Sequence, residues 1–97
     1  MYDAVMIGSG PAGLSAALYT SRANLTTLVI GKDRGALEKA DRIENYFGMA
    51  EPISGCELVE NTKTQARSLG VELVEDEIFH ITWNGHFILE GKNGTYE

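Results

Sequence analysis

Apolar residues along this chain fall into rhythms that change every few positions, and each change marks a predicted element. Ala4, Val5, Met6 and Ile7 are consecutive, so the spacing predicts a strand from Tyr2 to Ile7. A run that is apolar on both faces suits the centre of a parallel sheet covered on each side. Leu14, Ala17 and Leu18 then recur at helical spacing. They predict a helix that opens at Pro11, whose missing N–H is harmless in the first helical position. The helix should run to about Ala23, with Asn24 ending it. Leu25 to Ile30 reads as a second strand. Strand, helix and strand together make one βαβ unit, expected to be parallel and right-handed.

Gly31 to Pro52 forms a long connection, polar at first and then interrupted by Tyr46, Phe47 and Met49. Connections of that length without periodicity are uncommon in a small domain unless they carry function. Ser54 to Glu57 spells S-x-x-E, a capping box that predicts a helix from Gly55. Leu58, Thr62, Ala66 and Leu69 mark its buried face, Gly70 stops it, and Val71 to Val74 predicts a third strand. From Glu77 the pattern alternates. Asn84-Gly85 predicts a two-residue hairpin between Glu77–Trp83 and Phe87–Glu90, and Lys92-Asn93-Gly94 predicts a second turn before Thr95–Glu97. The chain thus divides into a parallel α/β portion, 1–76, and an antiparallel β-meander, 77–97. A chain that stops within a strand is expected to be part of something longer.

Composition narrows the class. The chain has 97 residues, 43% of them hydrophobic, which suffices for one small domain with a modest core. Eight basic against 14 acidic residues give a net charge of −6, which disfavours nucleic acid or an anionic membrane as partners. No apolar run approaches a membrane span, and Met1 leads into a strand, not a signal region; the expected location is cytoplasmic. The single cysteine, Cys56, cannot form an internal disulfide, in keeping with a reducing compartment.

The candidate chemistry lies in Gly8-Ser9-Gly10-Pro11-Ala12-Gly13, a G-x-G-x-x-G sequence between a predicted strand and a predicted helix. The first glycine permits the turn, the second lets a pyrophosphate approach the backbone, and the third lets the helix pack on the sheet. The helix N-terminus supplies N–H groups and a positive dipole end to the phosphates. An acidic residue about twenty positions on commonly binds the ribose. Gly31 ends the second strand here, and Asp33 is either that ribose partner or a solvated loop carboxylate.

The stretch YDAVMIGSGPAGLSAALYTSRANLTTLVI resembles the flavin-binding start of the thioredoxin reductase family. RIENYFG, Arg42 to Gly48, is similar to the family's E-N-aromatic-P-G segment. ISGCELVENTKTQARSLGVELVEDEI is similar to the family's next helix and strand, and FILEGKNGTYE to the meander before its second half. The resemblance implies an α/β, Rossmann-like FAD-binding half-domain of ββα three-layer form with a small meander at its C-terminal end. It implies FAD at the glycine loop, with Gly8, Ser9, Gly10, Pro11, Ala12 and Gly13 around the pyrophosphate. Asn45 and the backbone at Gly35 and Ala36 would lie near the isoalloxazine ring, and Glu77 and Ile78 would offer backbone groups to the adenine. Electrons would come from NADPH or ferredoxin and pass through FAD to a thioredoxin-like disulfide partner, in a homodimer. Three positions depart from the family pattern: Ala36 and Leu37 in GALE, where G-G-Q is usual, and Phe47, where proline is usual.

Disulfide reduction needs a cysteine pair, and Cys56 alone cannot supply one. The resemblance implies that the C-x-x-C pair, the rest of the flavin domain and any nicotinamide domain lie beyond residue 97, leaving this segment without catalytic residues. His80 and His86 have no neighbouring ligand cluster, so no metal is expected. Two other readings stay open: an NAD(P)-binding dehydrogenase module, which would need a further helix and parallel strand soon after Ile30, and a non-catalytic fragment that self-associates through a sheet edge.

Overall fold

The computed structural model describes residues 1–32 and 39–97. Its elements run β1 (Ala4–Ile7), α1 (Pro11–Arg22), β2 (Thr27–Gly31), α2 (Gly55–Ser68), β3 (Glu72–Glu75), β4 (Ile78–Trp83), β5 (Phe87–Gly91) and β6 (Thr95–Tyr96). They form a parallel sheet ordered β1-β2-β3 and an antiparallel sheet ordered β4-β5-β6.

Side-chain alternation explains how the layers stack. Val29 of β2, with Met6 and Leu73 beside it, faces Leu14 and Ala17 of α1 and Ala66 of α2. Leu28 and Ile30 point the other way, toward Leu89, Ile78 and Tyr96 of the meander. The parallel sheet therefore lies between two helices and a second sheet, a three-layer α/β arrangement. All five residues of β2 are buried. β1 is only half-buried and ends in exposed Ile7. The apolar run at the start of the chain suggested the central strand, but among the described residues β2 occupies that place and β1 forms an edge. A run apolar on both faces reports cover above and below, not the number of neighbours alongside.

The helix ends reflect local chemistry. At the end of α1, Asn24 takes φ 64°. Its N–H donates to the Ser21 carbonyl (3.0 Å), and the Leu25 N–H donates to that of Thr20 (3.1 Å). At the end of α2, Gly70 takes φ 88° and the same pair of bonds recurs, from Gly70 to Arg67 (3.0 Å) and from Val71 to Ala66 (3.1 Å). Both are Schellman motifs that satisfy the last carbonyls. At the start of α2 the Ser54 hydroxyl accepts the Glu57 N–H (3.1 Å), as the capping box predicts. Leu58, Val59 and Ala66 are buried, whereas Thr62 is partly buried and returns its hydroxyl to the Leu58 carbonyl (2.7 Å). Ser21 of α1 donates to the Leu69 carbonyl and so ties the two helices together.

The first hairpin differs from the expected form. Trp83 pairs with Phe87, so the loop holds Asn84, Gly85 and His86, with Gly85 at φ 78°. A two-residue loop would pair Ile81 with Ile88. The observed register instead sets Ile81 opposite Leu89 on the core side, buries Leu89 to 4% exposure, and brings Trp83 and Phe87 edge to face at 4.8 Å.

Candidate dinucleotide site

β1 delivers the chain to Gly8, whose N–H donates to the Ile30 carbonyl (2.7 Å) and whose φ of 122° is open only to glycine without strain. Gly10 then caps α1 in extended conformation, Pro11 occupies the first turn, and no acidic residue stands there to compete for the dipole. The first α-helical bond runs from the Leu14 N–H to the Gly10 carbonyl (3.0 Å). The amides of Ala12 and Gly13 precede it and face the open end of the helix.

The glycines of this loop act in two opposite ways. A Cβ at Gly8 or Gly10 would meet nothing within 4 Å, so the space beside both is free for a ligand. A Cβ at Gly13 would overlap the Gly8 carbonyl oxygen, so this glycine is fixed by the close approach of helix and loop. A further glycine, Gly31, was missed as a site residue in the sequence. A methyl group there would overlap the Ser9 side chain, which is itself buried. The end of β2 is therefore bare so that Ser9 can pack into the loop. Its only signal in the sequence is the absence of an acidic residue where one is common.

A cleft of about 560 Å³ opens at the carboxyl ends of β2 and β3, the edge where ligands of α/β sheets bind. Its lining includes Ser9, Gly31, Lys32, Lys63, Arg67 and Glu75, gathering basic side chains in an acidic chain. Lys32 lies 3.7 Å from Glu77, but both are more than half exposed, so this pair contributes little stability. A second cleft of about 440 Å³ lies beside β1 and includes Val5, Ile7, Ile81, Trp83 and Phe87.

The remaining predicted residues are scattered over longer stretches. Asn45 is exposed in the connection between β2 and α2. That connection is closed by paired bonds between Ile43 and Ile53 (2.7 and 3.1 Å) and by the Gly55 N–H on the Ala40 carbonyl (2.7 Å). Glu44 pairs with Arg42 at 2.8 Å. Asp33, Gly35 and Ala36 lie outside the described residues, as does the GALE departure. Glu77 and Ile78 begin the crossover into the meander. The Glu77 N–H donates to Asp76 Oδ1 (2.7 Å), and its carbonyl accepts the Lys92 N–H (3.0 Å).

Asp76 was also missed. It is buried at 4% exposure, and it accepts the Tyr96 hydroxyl (2.7 Å) and the Asn93 N–H (3.1 and 3.2 Å) besides that of Glu77. Burial pushes its carboxyl upward, but the bonds from Tyr96, Glu77 and Asn93 outweigh burial and hold it below the ordinary 3.8. The reciprocal effect raises the Tyr96 hydroxyl. Among the described residues no group of three or more His, Cys, Asp or Glu is placed to hold a metal, and no helix is long and apolar enough to cross a membrane.

Comparison with known proteins agrees with this geometry. The FAD binding domain family matches residues 3–41. The thioredoxin reductase of Treponema pallidum (strain Nichols) is 46% identical over 92 residues, covering 84% of this chain and 30% of the relative. That of Aquifex aeolicus (strain VF5) is 45% identical over 80 residues, covering 80% of this chain and 25% of the relative. The crystal structure of an atypical thioredoxin reductase from Desulfovibrio vulgaris Hildenborough superposes with a TM-score of 0.89 at 40% identity, over 99% of this chain and 33% of that one. The chain thus spans 30% or less of the length of these two curated relatives. It belongs to the thioredoxin reductase family and matches the N-terminal FAD-binding part of those proteins.

Proposed function

We propose that this chain binds the pyrophosphate and adenosine of FAD as part of a flavoprotein disulfide oxidoreductase. The carrying observation is the loop itself. Gly8 and Gly10 border free space, Gly13 is forced by packing, and the loop opens directly into the N-terminus of α1, whose first amides have no partner within the helix. These features fit a diphosphate: the close backbone approach needs no side chain, and the helix end compensates negative charge. Gly8, Ser9, Gly10, Pro11, Ala12 and Gly13 would hold the pyrophosphate. Asp33 and Ile78 would serve the adenosine and Gly35, Ala36 and Asn45 the ring, while Glu77, whose N–H and carbonyl are taken by Asp76 and Lys92, would wall the adenosine side. When bound, FAD supplies the reversible uptake of an electron pair. The residues of this chain bind and orient it, and none of them carries the exchange.

The long connection between β2 and α2 supports FAD over a nicotinamide cofactor at this loop, because no further helix or strand comes after β2 before Gly55 among the described residues. For the whole protein we propose NADPH or ferredoxin as donor and a thioredoxin-like disulfide protein as acceptor, on the strength of the relatives' names. The apolar cleft beside β1, with Ile7 and Trp83 more than half exposed, supports assembly with a further surface, and we propose a homodimer. A sequence with one cysteine agrees with a reducing compartment, and the cytoplasm is the proposed location. The test is to purify the full-length protein and record its visible spectrum and nucleotide content. Bound FAD is the expected result, and tight NAD(P) without flavin would replace this reading with that of a dehydrogenase module.

A further inference from the structure

Asp76 is the one buried carboxylate among the described residues, and no step of the proposed function uses it. It stands where four pieces of backbone meet. Its own N–H donates to the Gly31 carbonyl at the end of β2 (3.0 Å). Its carboxylate accepts from Glu77 at the crossover, from Asn93 in the β5–β6 turn and from Tyr96 of β6. Gly91 has no room for a side chain, because a methyl group there would overlap this carboxylate. A charged acceptor with every donor satisfied is a strong and directional tie.

The position of that tie gives it a second meaning. Gly31 packs against Ser9 of the phosphate loop, so the Asp76 bond fixes the strand end on which the loop rests. In a dinucleotide-binding βαβ unit the end of the second strand is where the adenosine ribose lies. Gly31 has no side chain to hold that ribose, so among the described residues the wall on the adenosine side comes from backbone and from the crossover beginning at Glu77. We infer that Asp76 is a positioning residue for the adenosine half of the dinucleotide, acting by holding Gly31, Glu77 and the Asn93 turn in one arrangement. This inference rests on the FAD-binding reading above.

A residue that merely holds the fold together would lower stability and weaken every ligand alike. A positioning residue for the adenosine side acts selectively. The experiment measures the affinity of the full-length apoprotein for FAD, ADP and FMN by calorimetry, well below the melting temperature of each variant. Asp76→Asn keeps the size but places an amide group among donors. It is expected to weaken FAD and ADP by about tenfold, the order lost with a charge-assisted bond, and to leave FMN unchanged. Tyr96→Phe removes one donor and is expected to weaken FAD and ADP about threefold with FMN again unchanged. If Asp76→Asn does not fold, Tyr96→Phe carries the same test. Equal weakening of all three ligands, or wild-type affinity for ADP in a variant with a lowered melting temperature, would overturn the positioning role. Wild-type protein that binds neither FAD nor ADP would overturn the FAD reading and this role together.

Discussion

The glycine loop and the Asp76 junction are both built from backbone polar groups gathered at the carboxyl edge of the parallel sheet, and they treat those groups in opposite ways. At the loop the amides of Ala12 and Gly13 precede the first helical bond, and the space beside Gly8 and Gly10 is free. At the junction donors and acceptors close on one another: the Asp76 carboxylate takes three donors, and Glu77 uses both its N–H and its carbonyl. Open donors beside empty space are a binding surface, because an approaching anion completes them. A saturated cluster is a brace. Proximity to the same edge does not make two groups equivalent, and satisfaction of hydrogen bonds separates them.

The largest expected effect comes from a change that breaks the loop from within. Gly13→Ala drives a methyl group into the Gly8 carbonyl, and neither backbone segment can yield. The expected loss is about 3 kcal/mol, at the upper end for overpacking, together with loss of FAD affinity; denaturant melts and flavin titration read both. Gly91→Ala strikes the brace instead. The new methyl group meets the Asp76 carboxylate, and about 2 kcal/mol of stability should go, with the meander loosened first in hydrogen exchange. Ser54→Ala lies outside both regions and serves as a reference. Removing the cap that accepts the Glu57 N–H should cost about 1 kcal/mol with no change in flavin binding.

The smallest effect near neutrality is that of pH. The Asp76 carboxyl is held below its ordinary 3.8 in the folded state, so the folded form binds fewer protons there than the unfolded form as acid is added. Its contribution to stability is therefore fully present above the unfolded value of 3.8, and is lost as pH falls below that through the folded value. Asp3, held low by the Thr26 N–H and hydroxyl, adds a contribution of the same sign. Melts between pH 8 and 2 should show a flat region and then an acid limb, and Asp76→Asn should shorten that limb.

Much of this architecture could be read from residues a few positions apart. Asn24 and Gly70 announced the two Schellman ends, Ser54 announced the start of α2, and the spacing of Gly8, Gly10 and Gly13 announced the loop, because each depends on its own neighbours. What escaped depends on distant partners. Gly31 is required by Ser9, and Asp76 is held by Asn93 and Tyr96, through contacts that no local spacing records. The edge position of β1 and the three-residue hairpin at Asn84 belong to the same class. Asn84-Gly85 marked the turn correctly, but the register was decided by the burial of Leu89 against the parallel sheet. For Asn45, the family resemblance supplied a role, while the structure supplies an exposed residue in a connection closed by Ile43 and Ile53.

The central claim is that the open side of the glycine loop receives the phosphates of FAD, and Gly10→Val tests it most directly. Gly10 has an ordinary φ of −79° and no neighbour within 4 Å of a Cβ, so the new side chain starts out into the open space where the phosphate is proposed to lie. Stability should change by about 1 kcal/mol, the cost of a poor helix cap. FAD titration of the full-length protein, monitored by flavin fluorescence, should show tight binding by the wild type and a loss of at least about a hundredfold in the variant, the order expected when a phosphate loses its backbone contacts. Unchanged FAD affinity in a folded Gly10→Val protein would contradict the account.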